Sequence, residues 1–266
     1  MRLLLTLRGW EVASVLSFVY TAVAALIRPR LPRAARVRAL GGSVAGLLLT
    51  TASALAPFHP LLHYWLLPPA LLLLGYWTSG LLFVAPMKPI EKLFTAIDRV
   101  ARVRTFAALS PTSVANVLEF YYVAVFALVP IALALHLNLS AAPDADRFWT
   151  VILVTDFICF AALPWIQTRP PRSLEPGEPW VSSLRAFNLR WVDRASIQVN
   201  TFPSGHAAEA LAAALLVSNL RVGIFIWMLV SAAAVSAGAV FGRYHYAIDA
   251  VAGWMVATGV WVVLRP

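Results

Sequence analysis

The fold class predicted by this sequence is all-α, a polytopic bundle of membrane helices, and three observations predict it. Of 266 residues, 61% are hydrophobic and 12% charged, where a soluble globular chain carries about 45–50% apolar and about 25% charged residues. The mean hydropathy is +0.77. The apolar residues are gathered into about eight runs close to the roughly 17–25 residues that a membrane-spanning helix needs. This composition excludes an ordinary water-soluble enzyme, and it excludes a disordered chain, which lacks the apolar surface to fold.

The runs lie near 10–27, 39–57, 64–86, 114–136, 148–166, 205–220, 222–241 and 250–264. The first carries Glu11, and both it and the last are short. Residues 1–27 also fit a secretory signal with Arg2 and Arg8 as its basic end, but Leu26 and Ile27 continue the apolar run past any cleavage-like site, which favours a span. Pro68-Pro69 and Pro130 predict kinks in the third and fourth spans. Tyr64, Trp65, Trp149 and Trp165 fall near span ends, where amphipathic rings meet headgroups. Cys159 is the only cysteine and forms no intrachain disulfide.

Two polar stretches interrupt the pattern. In 87–113, Leu93, Phe94, Ile97, Val100 and Val103 recur at helical spacing among Lys88, Lys92, Arg99, Arg102 and Arg104, which predicts an amphipathic helix lying on the bilayer surface. Residues 167–204 form the longest polar segment, with Pro170, Pro171, Pro176 and Pro179 first and Arg185, Arg190 and Arg194 after them. A loop of about 38 residues is more often functional than idle.

The net charge is +9, from 21 basic residues, of which only Lys88 and Lys92 are lysine. In a membrane chain this excess points to anionic headgroups or a phosphate-bearing substrate. No nucleic-acid module is present, and none is expected as a partner. With eight spans, sixteen basic residues share one face and five the other; discounting arginines that could bind substrate leaves ten against five. The positive-inside rule then puts the richer face in the cytoplasm.

His59, His63 and His136 read as interfacial polar residues at span ends. His206 and His245 have better company. His206 follows Pro203-Ser204-Gly205 where the polar loop meets the sixth span. Ser204 is a candidate N-cap, Gly205 allows close approach of a ligand, and the helix start offers unpaired N–H groups to a phosphate. His245 and Asp249 are four apart, which stacks imidazole and carboxylate on one helix face and lets Asp249 hold the Nδ1 proton. Arg169 and Arg172 flank Pro170-Pro171 just after the fifth span, and Arg243 precedes His245 by two. By span parity all of these fall on one membrane face. Two histidines, an orienting carboxylate and several arginines suit a phosphate monoester or diester. A metal site on His206, His245 and Asp249 is the weaker reading, because clustered guanidiniums repel a cation.

At these residues the chain resembles the type 2 phosphatidic acid phosphatase (PAP2) superfamily of membrane lipid phosphatases and phosphotransferases. Arg169-Pro170, Pro203-Ser204-Gly205-His206 and His245-x3-Asp249 match its three motifs in order over about residues 160–255. The resemblance implies a six-helix core with N-terminal additions, and a single membrane domain in which 1–63 are N-terminal helices, 87–113 is interfacial and 148–264 is the catalytic core. It implies that His245 attacks phosphorus to form a phosphohistidine, that Asp249 orients it, and that His206 protonates the leaving oxygen and then activates the acceptor. Arg169, Ser204 and Gly205 would hold phosphate oxygens, without metal or other cofactor. Two positions depart from the family pattern: Ala162 stands where a lysine is usual and Ala239 where an arginine is usual. Arg172 and Arg243 are expected to supply the missing charge. Arg-Pro-Pro-Arg and Arg-Tyr-His-Tyr are more similar to the branch containing inositol phosphorylceramide synthase, whose members transfer headgroups.

The expected partners are a lipid phosphate or lipid-linked headgroup and the bilayer, with a bacterial plasma membrane as the expected location. The charge count favours a cytoplasmic site, whereas family members commonly work on the outer face. Glu119, Asp156 and Glu209 lie inside spans, where unpaired carboxylates are expensive. Glu209, three residues after His206, is expected beside the site, whereas Glu119 and Asp156 either pair structurally or line a polar path, which keeps open a reading of another class, a non-catalytic lipid-phosphate transporter or binding protein.

Overall fold

A computed structural model of the chain describes residues 7–56, 58–174 and 177–265. Those residues are helical, with no β-structure beyond one antiparallel bridge between Thr168 and Asn200. Arg2 and Pro176 lie outside them. The eight apolar runs correspond to α1 (Gly9–Ile27), α2 (Arg33–Leu55), α3 (Leu67–Gly80), α6 (Thr112–Leu139), α7 (Ala145–Ala162), α9 (Gly205–Leu216), α10 (Val222–Phe241) and α11 (Ala247–Val263). Four of these, α1, α2, α6 and α10, are by themselves long and apolar enough to cross a membrane.

The polar stretches fold further than the sequence predicts. Residues 87–113 form two helices, α4 (Lys88–Val100) and α5 (Val103–Leu109), instead of one. Arg102 breaks them apart by adopting a left-handed backbone, φ 52°. The 167–204 segment is not a bare loop: a short 3-10 turn at Pro171–Ser173 and α8 (Ser183–Ala195) lie within it. Ser182 starts α8 by accepting a hydrogen bond from the Arg185 N–H, as Asp144 does for α7 from Arg147 and Ser204 for α9 from Ala207; short polar side chains cap helix starts this way.

Pro68 and Pro69 sit in the first turn of α3, where a missing N–H costs little, and the distortion is a π-helical turn before them, Leu62–Leu66. α6 runs unbroken through Pro130. His59 is exposed, whereas His63 and His136 are buried in the protein. His63 lies edge-on to Trp10 and Tyr64, and His136 Nε2 accepts the Asp144 N–H at 3.0 Å.

α1 is built into the bundle: Trp10 and Phe18 are fully buried, and Glu11 accepts from the Arg8 N–H and from Ser53 Oγ. α9 is the centre, packed against α6, α7, α10 and α11. Its buried face is mostly alanine, and short side chains let neighbouring axes come close. Glycine completes this on α11. A Cβ on Gly253 would sit 2.6 Å from the Ser204 carbonyl oxygen and 3.2 Å from the Ala208 nitrogen, so α11 meets the start of α9 only without a side chain there. Gly253→Ala is expected to cost about 1–3 kcal/mol of stability, read as a lower melting temperature in detergent. Gly259→Ala, where a Cβ meets nothing within 4 Å, leaves it unchanged.

Candidate active site

The end of α7, the start of α9 and the α10–α11 turn meet at one end of the bundle. The Asn200 N–H donates to the Thr168 carbonyl at 3.0 Å, the Ser204 N–H to the Asp249 carbonyl at 2.9 Å and the Arg172 N–H to the Arg243 carbonyl at 3.0 Å. Tyr246 Oη donates to the Arg169 carbonyl at 3.1 Å. The three sequence motifs are therefore tied backbone to backbone, and the His206 and His245 ring centroids lie 6.1 Å apart.

His245 owes its position to the α10–α11 turn. Arg243 adopts a left-handed backbone, φ 61°, and the N–H groups of Tyr244 and His245 both donate to the Ala239 carbonyl at 2.9 Å. His245 Nδ1 then faces Asp249 Oδ2 at 3.3 Å, and the same oxygen accepts the Tyr246 N–H at 2.8 Å. Asp249 is fully buried. A carboxylate at Nδ1 fixes the tautomer that leaves the Nε2 lone pair available. The 3.3 Å separation is long for a hydrogen bond, as catalytic contacts often are before substrate tightens them.

His206 stands in the first turn of α9 and stacks on Tyr122, interplanar angle 6° and centroids 5.3 Å apart. Tyr122 stacks in turn on Tyr244 at 3.8 Å. The Arg172 and Arg185 guanidiniums cap the column, 5.5 and 4.8 Å from the Tyr244 centroid. The column fixes the plane of His206 and links it to the residue preceding His245.

The arginines divide into roles that the sequence did not separate. Arg172 faces the ring column. Arg243 Nη1 donates to the Gly177 carbonyl at 2.6 Å, bracing the polar segment. Arg169 turns toward α4 and grips Glu91 with both edges of its fork, at 3.0 and 2.9 Å. Those hydrogen bonds hold the Glu91 carboxyl below the usual glutamate range. Gly205 and Ser204 lie at the capped start of α9; a Cβ at Gly205 would sit 3.2 Å from Asp156 Oδ1. Among the described residues, no three His, Cys, Asp or Glu side chains group as metal ligands.

Sequence reasoning missed the network behind the turn. Glu119, 1% exposed, accepts from Arg185 Nη1 at 2.9 Å, Trp180 Nε1 at 3.0 Å, Tyr244 Oη at 2.8 Å and Asn188 Nδ2 at 2.5 Å. Arg185 also donates to the Gly242 carbonyl at 2.7 Å and to Glu178. The signal was an acid inside a span, which demands donors. Ala239, at the departure from the family pattern, is buried behind Tyr244 and serves through its carbonyl.

A family model described as the PAP2 superfamily matches residues 92–263. No curated protein matches, and no solved structure matches.

Glu119→Ala leaves the buried Arg185 without its inner partner, so a loss of about 3–5 kcal/mol is expected, measurable by thermal unfolding in detergent; Glu119→Gln, which keeps an acceptor, costs less. Because Glu91 is lowered in the folded protein, its pairing stabilises above the unfolded value of about 4.3 and fades as pH falls through the lowered folded value. The stability gap between wild type and Glu91→Gln should be constant at neutral pH and close on acidification. A gap independent of pH would assign Glu91 no electrostatic role.

Proposed function

The chain belongs to the PAP2 superfamily, and from that premise we propose that it is a membrane phosphatase or phosphotransferase acting on a lipid-linked phosphate through a phosphohistidine, without a metal. The observation that carries the reading is the pairing of two imidazoles 6.1 Å apart, one backed at Nδ1 by a buried carboxylate. An oriented imidazole with a free Nε2 is a nucleophile, and a second imidazole close by is an acid–base catalyst.

In the proposed sequence, the unpaired N–H groups at the start of α9 and nearby guanidiniums draw the substrate phosphate in, and His206 enters the first step carrying a proton. The Gly205 and His206 N–H groups lie in the first turn, where helix N–H groups lack intrahelical partners. Arg172 supplies positive charge directly, and Arg169 and Arg243 supply it from the flanking turns. His245 Nε2 attacks phosphorus; the bond to the lipid oxygen breaks, and His206 donates the proton that this oxygen needs. Asp249 stabilises the cationic ring that results. His206, now basic, takes a proton from water or an alcohol, whose oxygen attacks phosphorus and releases His245. Water gives hydrolysis and an alcohol gives headgroup transfer. Ser204, Gly205 and the arginines serve the same task in both steps, holding the equatorial oxygens of the transferring group.

The test is phosphate release from phosphatidic acid or a polyprenyl diphosphate by purified protein. His245→Ala is expected to reduce release to background and His206→Ala to lower it by about 10²–10⁴-fold. Arg172→Ala should weaken substrate binding about tenfold or more. Product that forms only with an added alcohol acceptor assigns transfer. Lipid-phosphate binding without turnover by wild type would overturn the catalytic reading in favour of a transporter or binding protein.

A further inference from the structure

α4 has three faces with different partners. Phe94 seats the helix on Phe202 and Tyr246, with ring centroids 5.1 and 5.4 Å away. Leu93 and Val100 form a separate stripe, about 100–120° round the helix from Phe94; they are 58% and 85% exposed and meet acyl chains when the helix lies at a bilayer surface. Lys88, Lys92 and Arg99 fall on a further stripe at helical spacing. With Arg169 and Leu174 facing them, they bound a cleft of about 430 Å³.

The charge in this cleft is unbalanced. Four cations line it against one carboxylate, Glu91, and that carboxylate is held by Arg169 through both oxygens. Among the described residues, Lys88, Lys92 and Arg99 make no side-chain hydrogen bond, and Lys88 acts only through its charge on Glu91, which Arg169 already grips. The lining includes neither His206 nor His245. We propose that this cleft is a second phosphate site, which binds the headgroup of an anionic membrane lipid while its acyl chains lie along the exposed apolar face of α4. The lipid source follows from that face: a free phosphate would use the cations and leave Leu93 and Val100 in water. The cleft borders the histidine centre through Arg169 but contains neither imidazole, and its occupancy is read without turnover, so it stands or falls apart from the proposed reaction.

The test reconstitutes the full chain in phosphatidylcholine nanodiscs containing a minor fraction of phosphatidylglycerol and counts retained lipids by native mass spectrometry. Wild type should enrich phosphatidylglycerol. At an anionic surface each Lys or Arg contributes about fivefold, so K88Q/K92Q/R99Q should lose about tenfold or more of that enrichment. R30Q/R33Q/R38Q removes the same charge from the α1–α2 turn and the start of α2, which α2 and α3 return to the same side of the bundle, and it should keep the enrichment. Equal loss in both triple variants would overturn the site in favour of general surface charge, and enrichment retained by the first would overturn it outright. Displacement of the lipid by millimolar inorganic phosphate would overturn the lipid source. Should the first variant fail to fold, K92Q alone, with about a fivefold loss expected, takes its place.

Discussion

A carboxylate inside a membrane helix must be satisfied by its own protein, because the hydrocarbon around it offers no donor. Glu119 meets that demand with four donors, and the demand organises the molecule. Arg185, Trp180, Tyr244 and Asn188 come from the polar segment and from the α10–α11 turn, so α6, α8 and the residue before His245 are bound to one point. Buried ion pairs are weak evidence of net stability but strong fixers of geometry. Here the geometry fixed is that of the proposed nucleophile. The ring column carries the same constraint to His206, since Tyr122 touches both Tyr244 and His206.

Much of the fold was legible because it is written locally. An apolar run declares a helix by its own length, and the amphipathic spacing of 88–100 declares an amphipathic one. Features set by distant contacts were not legible. Nothing in 205–220 announces that α9 stops at Leu216, nor does 87–113 announce that Arg102 breaks the helix. The proline pair at 68–69 misled, because a proline kinks a helix interior but is tolerated in a first turn.

The site divides along the same line. His245 and Asp249 are four residues apart, and Ser204 through His206 are contiguous, so helix geometry and the family pattern find them. The Arg169–Glu91 grip joins residues 78 apart and the Tyr244–Glu119 bond residues 125 apart, and no periodicity connects them. The sequence marked Glu119 as an acid in need of partners without being able to name one. It also read the arginine excess chiefly as an attraction to anions, whereas much of it serves the protein: Arg185 and Arg243 hold backbone carbonyls beside the site, and Arg147 holds that of Leu264.

At 1.5 Å per residue, the 12 residues of α9 rise about 18 Å, against a hydrocarbon slab of about 30 Å. Four neighbouring helices enclose α9, so lipid cannot thin around it to absorb the difference. The shortfall leaves room for the chain's own polar turns, Thr168 and Asn200 among them, beside the first helical turn that carries His206. On the proposed reading, a phosphorylated amphiphile would meet those turns with its polar end while its tails stay in oil.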